Sequence, residues 1–418
     1  MRPASRWTAP DDIAASVGQL WESGALLRAR CEGVPIFPFE LRFRQPGAIE
    51  MGQQFEAVRD WIAALTRMSR DARGHGYELV WREINHRQLG RNRIPVAALI
   101  PSEADALRII GRANEARRFD QLADMTLDAF PGLRSWVARQ PLKLIQHDEQ
   151  WERVLAVLRW FMAHPQPRIY LRQLDIAGVD TKFIESYKAL FLELLNEIMP
   201  AETILATAYG VRQFEERFGL LTKPALIRFR MLDPDYYIAG LSDLTVPVSQ
   251  FAKFECQVQR IFVTENEINA LAFPAIPGGM VVFGGGYGIE RLAQVKWLED
   301  KEVLYWGDID THGFVILDRL RSHVPHTRSL LMDARTLQAH RTLWGKEEAA
   351  ARYTGELNRL SEDEYRLFVE LRDNIHGPNL RMEQERIPYT WAVEAIRNVL
   401  APLAEREATA SEAGPSPY

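Results

Sequence analysis

Four short apolar runs in the C-terminal half restrict the fold more than any other feature of this sequence. They are QRIFVTEN, MVVFGGG, EVLYWGDID and RSLLMD, and each ends in an acid, an amide or glycine. Stretches with helical patterning fall between them, at 267–271, 287–298 and 313–321. Strands apolar at every residue are buried on both faces, and helical crossovers between them imply a parallel sheet with helices on both sides. The expected fold class is therefore α/β.

At 418 residues the chain exceeds one ordinary domain. Residues 1–150 read as an N-terminal arm region, with helical patterns at 11–30, 55–67, 102–118 and 119–139 and mostly strands between 42 and 100. The 102–118 pattern opens with Ser-Glu-Ala-Asp, a helix-capping signal. Helices at 149–163 and 181–197, a strand at 169–174 and strands at 224–231 and 245–249 fit a winged-helix arrangement over 151–250. Residues 257–402 carry the parallel sheet and two later helical stretches, 346–376 and 389–402. The last segment, 403–418, reads as a disordered tail.

The chain carries 51 Lys and Arg against 56 Asp and Glu, a net charge of −5, so any nucleic-acid surface is local. Residues 41–100 hold a positive surplus of four, and Arg82, Arg87, Arg91 and Arg93 cluster there against Glu83. These arginines are candidate DNA contacts, although a solvated helix face or loop explains such a patch more often than a DNA track does. Cys31 and Cys256 are the only cysteines, which excludes a thiolate zinc site or a disulfide framework and suits a reducing compartment. No apolar run approaches the ~20 residues of a membrane span, and the first ten residues lack a signal-peptide core. A cytoplasmic location with no membrane partner is expected.

In open α/β sheets, ligands gather at the carboxyl ends of the strands. Here those ends carry Glu265, Asp308, Asp310 and Asp333. Asp308 and Asp310, one residue apart in extended chain, project to the same side. With Glu265 on a neighbouring strand they form a hard-oxygen set suited to Mg²⁺. Placing three like charges together is costly without a cation, whereas Asp333 alone is explained by helix capping. An EF-hand reading of DIDTHG fails because its twelfth position is Arg319. FGGGYGIE is neither G-x-G-x-x-G nor a Walker loop, and its glycines serve a strand-to-helix turn. No HExxH or G-x-S-x-G occurs.

Glu265 after an apolar strand, followed by GDIDTHGFVIL, resembles the toprim domain of topoisomerase VI A subunits and their meiotic recombination relatives. Longer strings, INHRQLGRNRIP, IYLRQLDIAGVDTKFIE, FVTENEINALAFP, VVFGGGYGIERLAQVKWL and YWGDIDTHGFVILDRLRSHVPHTRSLLMDARTL, are similar to the JetD-like family of Wadjet plasmid-defence systems. That resemblance covers roughly residues 40–390. It implies an arm region, a winged-helix domain and a C-terminal toprim nuclease domain. It also implies a homodimer working with an SMC ATPase, a kleisin and a kite subunit on closed circular double-stranded DNA.

Carried onto this chain, the resemblance makes Glu265, Asp308 and Asp310 ligands of Mg²⁺ or Mn²⁺, with Glu265 alternatively a general acid or base. His312 is a phosphate contact or a helix-start packing residue. Glu383 and Glu385 match a late acidic element, in which Glu385 completes the metal shell or pairs with Arg381 or Arg386. Topoisomerase VI cuts with a tyrosine beside an arginine. Tyr170, Tyr187, Tyr236 and Tyr237 reproduce no such motif here, which favours hydrolysis by metal-activated water. Two alternatives remain at this stage: a tyrosine transesterase, and a non-catalytic DNA-binding adaptor subunit.

Overall fold

A computed structural model of the chain describes residues 7–86, 90–255, 257–284 and 288–400. The tail 403–418, Arg87, Cys256 and most of the glycine run fall outside the described residues. The chain divides into two compact units, 1–222 and 223–418.

The first unit is mainly helical. Its sheet has three antiparallel strands, β1 (Phe39–Arg42), β2 (Glu78–His86) and β3 (Gly90–Ile100), in the order β1-β3-β2. β2 and β3 form a long hairpin whose register shifts between Val80 and Trp81. The pattern at 149–163 folds as helix Trp151–Ala163, with Trp151, Val154, Leu155, Val157, Leu158 and Phe161 on its buried side. Two expected helices are broken by glycine. The 11–30 pattern becomes Pro10–Glu22 and Ala25–Glu32, parted by Gly24 at φ 71°. The 102–118 pattern stops at Ile110, because Gly111 turns left-handed at φ 71° and ends the helix that Ser102 caps. The strand expected at 169–174 is instead a short 3-10 turn, Leu171–Gln173. Its leading end is tied laterally, through a bridge from Tyr170 to Leu221.

The second unit is built on a six-stranded sheet. Its strands are β4 (Leu226–Met231), β5 (Asp243–Pro247), β6 (Arg260–Thr264), β7 (Gly279–Phe283), β8 (Glu302–Trp306) and β9 (Arg328–Ser329), in the order β5-β4-β7-β6-β8-β9. β7, β6, β8 and β9 are parallel, as the apolar runs predict. β4 and β5 are antiparallel additions, so the sheet is mixed rather than all-parallel. The winged-helix reading grouped these two strands with the helices before them. They join the C-terminal sheet because β4 alternates, burying Ile227, Phe229 and Met231, and Phe229 to Met231 lie in register with β7. A short ribbon of β10 (Gly345–Lys346) and β11 (Leu380–Arg381) completes the strands described. The central strands form one apolar core with the helix Thr311–His323, through Phe314, Leu317 and Leu320.

Candidate metal-binding acidic site

Strands β6 and β8 run parallel in register, Thr264 opposite Trp306, so the residues that follow them emerge at one edge of the sheet. Glu265 follows β6, and Asp308 and Asp310 follow β8. The first constraint on this edge is Tyr305, fully buried on β8, whose hydroxyl donates to Glu265 Oε1. A buried tyrosine on an apolar strand requires a partner for its O–H. Gly307 leaves the room for that bond: a β-carbon there would stand 2.7 Å from Glu265 Oε1 and closer still to the tyrosine oxygen.

Asp310 caps the helix Thr311–His323, its Oδ1 accepting from the Gly313 N–H at 2.7 Å. Its other oxygen, Oδ2, lies 3.1 Å from Arg381 Nε. Asp308 Oδ2 accepts from Arg381 Nη2 at 2.5 Å, and its Oδ1 from the Gln384 N–H at 2.9 Å. The segment that brings Arg381 and Gln384 here is bound to the D-x-D element by its backbone. Ile309 and Met382 exchange both main-chain hydrogen bonds, at 2.9 and 3.0 Å. Gln384 is itself buried and accepts from the Thr264 hydroxyl at 2.6 Å, which fastens the segment to the end of β6. Glu347, just past β10, accepts from the Thr311 hydroxyl at 2.8 and 2.9 Å and is almost wholly buried beside Asp310.

The electrostatics follow from crowding. Burial pushes the Glu265 carboxyl up to about 7, with Asp308 and Asp310 adding to the rise and the Tyr305 hydrogen bond opposing it. Asp310 is raised to about 6, again by burial first; the Gly313 N–H opposes this, and the charges of Glu347 and Asp308 add to it. The Tyr305 hydroxyl is held well above its usual range by burial and by Glu265.

The structure thus gathers Glu265, Asp308 and Asp310 at one edge, and it adds Glu383 and Glu385 from the late segment. Glu383 pairs with Arg381 at 3.3 Å and with Arg386 at 2.9 Å. Glu385 accepts from the side-chain amide of Asn266, next to Glu265, and the arginines expected as its partners bind elsewhere. His312 is exposed on the first helical turn after Asp310. Asp333 caps the helix Ala334–Ala339 through the Thr336 N–H at 2.7 Å. Tyr236 and Tyr237 lie in and just after a 3-10 turn between β4 and β5, with Tyr237 exposed. In the first unit, Arg82 and Arg93 are exposed on the β2–β3 hairpin; Arg82 donates to Gln45 at 3.2 Å, and Arg93 lies over the Trp81 ring. Arg91 is on β3, in register with Asn85, and Arg87 lies outside the described residues.

In kind, the donors suit a hard divalent ion: three carboxylates, two of them on one strand end. In place, their lone pairs are already engaged by Arg381, by the Gly313 and Gln384 N–H groups and by Tyr305. Among the described residues, no three His, Cys, Asp or Glu side chains are arranged to hold a metal ion as they stand. Tyr305, Gln384 and Glu347 escaped the sequence reading. A tyrosine inside a buried strand, three residues before the first aspartate, was the one available signal.

Two family models match the chain. Residues 219–396 match a model described as Wadjet protein JetD, C-terminal, and residues 10–196 match one described as an uncharacterized protein conserved in bacteria, N-terminal. No curated protein matches it.

Proposed function

Because this chain belongs to the JetD family of Wadjet proteins, we propose that it is the metal-dependent DNA endonuclease subunit of a Wadjet complex, cutting closed circular plasmid DNA by hydrolysis. The observation that carries the reading is the convergence of Glu265, Asp308 and Asp310 at the carboxyl edge of a largely parallel sheet. A toprim identity for the C-terminal sheet, SMC, kleisin and kite partners, and a homodimer placing one site on each strand of the duplex belong to the same proposal.

Asp308 and Asp310 would hold Mg²⁺ or Mn²⁺, and Glu265 would stand beside them as a third ligand or as a proton carrier. The ion's chemistry is Lewis-acid polarisation of the scissile phosphate and activation of water. The protein's own groups do the rest. Tyr305 fixes one oxygen of Glu265, and the other accepts no hydrogen bond among the described residues. A carboxyl near pH 7 is matched to moving a proton at neutral pH, the optimum for a general acid or base. Gln384 and the Ile309–Met382 bridge hold the D-x-D element in place while substrate binds.

Circular plasmid incubated with the chain, its SMC partners, ATP and Mg²⁺ should yield linear product, lost with Glu265→Ala. Cutting that survives Asp308→Ala in a folded, assembled complex would favour the adaptor reading. DNA ends joined covalently to Tyr236 or Tyr237 would establish transesterification instead.

A further inference from the structure

One guanidinium spans the two aspartates of the site. Arg381 Nη2 lies 2.5 Å from Asp308 Oδ2, its Nε 3.1 Å from Asp310 Oδ2, and its Nη1 3.3 Å from Glu383 Oε1. The charge of Arg381 therefore sits among the oxygens that the proposed function assigns to a divalent ion. A cation in that position relieves the repulsion between two aspartates, which is the same work the ion would do. The two cannot use the same lone pairs at once.

Arg381 is not locked in place. Its side chain is 36% exposed, and its third contact, Glu383, is a separate carboxylate that Arg386 Nε also holds at 2.9 Å. Glu383 is thus a second carboxylate on which the guanidinium keeps a partner when the aspartates release it. The backbone of Arg381 stays anchored in β11 opposite Gly345, so release is a side-chain movement that leaves the ribbon paired.

Resting on the function proposed above, we infer that Arg381 is a built-in counter-cation that competes with the divalent ion for Asp308 and Asp310. The metal-free chain is stabilised with its acids neutralised, and loading of the metal requires the guanidinium to withdraw toward Glu383. A nuclease subunit built this way binds metal weakly on its own.

The test is Mn²⁺ binding by the full-length chain without DNA, read from the free-ion electron paramagnetic resonance signal. Arg381→Gln should bind Mn²⁺ at least about tenfold more tightly than wild type, since a charge-assisted pair no longer has to be broken. Glu383→Gln should bind several-fold more weakly, because Arg381 then has only the aspartates. That weakening should vanish in the double variant. Opposite signs for the two changes distinguish competition from mere support of the fold, which would weaken binding in both. Circular dichroism reports folding; if Arg381→Gln does not fold, Arg381→Lys replaces it, with a smaller gain expected because a point charge spans the pair less well. Unchanged or weaker Mn²⁺ binding in the folded arginine variant, with wild-type binding still abolished by Asp308→Asn, would overturn the competition alone. Absence of Mn²⁺ binding in every variant, or binding indifferent to Asp308→Asn, would overturn the metal-site reading and this inference with it.

Discussion

Gly313 packs against the main-chain carbonyl of Asp308 so closely that a β-carbon at position 313 would overlap that oxygen. The glycine also donates its N–H to Asp310. The spacing D-x-D-x-x-G therefore has a steric cause: the helix start must pass directly over the first aspartate to be capped by the second.

Gly313→Ala should destabilise the chain by about 1–3 kcal/mol, through overpacking against backbone that has no slack. The sign is diagnostic, because alanine in an unconstrained helix is favoured over glycine by about 1 kcal/mol. Urea unfolding of the two proteins measures it. Plasmid cutting should be lost alongside, although no polar group has been removed.

Tyr305→Phe should raise the Glu265 carboxyl further, since the hydroxyl's hydrogen bond is the contact that Glu265 loses. The acid limb of the cleavage pH profile should move to higher pH, with activity at neutral pH falling and partly recovering in alkaline buffer. An unmoved profile would mean that Glu265 carries no proton in the rate-limiting step.

Glu265 also links stability to pH. Its folded value of about 7 exceeds the ordinary 4.5, so between those values the folded chain keeps a proton that the unfolded chain gives up. Stability should consequently fall as pH rises from about 4.5 through about 7. Glu265→Gln removes this loss, and in metal-free buffer at pH 8 the variant should be more stable than wild type by about 3 kcal/mol. Denaturant titrations at pH 5 and pH 8 give the comparison; a constant difference between the two would contradict it.

Much of this site was legible from residue order alone. Apolar runs ending in acids announced the parallel strands, and Glu265, Asp308 and Asp310 do emerge at one edge of the sheet. What escaped were relations set by tertiary packing. Arg381 looked like a surface partner for Glu385, because nothing local says that Met382 will bridge to Ile309, 73 positions earlier. β4 and β5 looked like part of the preceding helical region because strand patterning carries no information about which sheet a strand joins. The breaks at Gly24 and Gly111 were readable as glycines, but helical periodicity ran on past both.

The hairpin arginines make a separate prediction. If Arg82 and Arg93 meet phosphates, alanine at each should lower the slope of log affinity against log salt by about 0.9. Binding of the full chain to duplex DNA across a salt series measures this. An unchanged slope identifies the patch as a solvated face.

The bridge between Ile309 and Met382 has a consequence for how the chain is made. All three acids at the sheet edge are in place in sequence by residue 310, yet the groups that neutralise and orient Asp308, Arg381 and Gln384, are synthesised some seventy residues later. A ribosome-bound chain that has emerged only through the helix Thr311–His323 carries the acids without their restraints. The restraints on Asp308 therefore form only after Arg381 and Gln384 have been made, well after the strands that carry the acids, so the edge is completed by a long-range closure rather than by the folding of those strands.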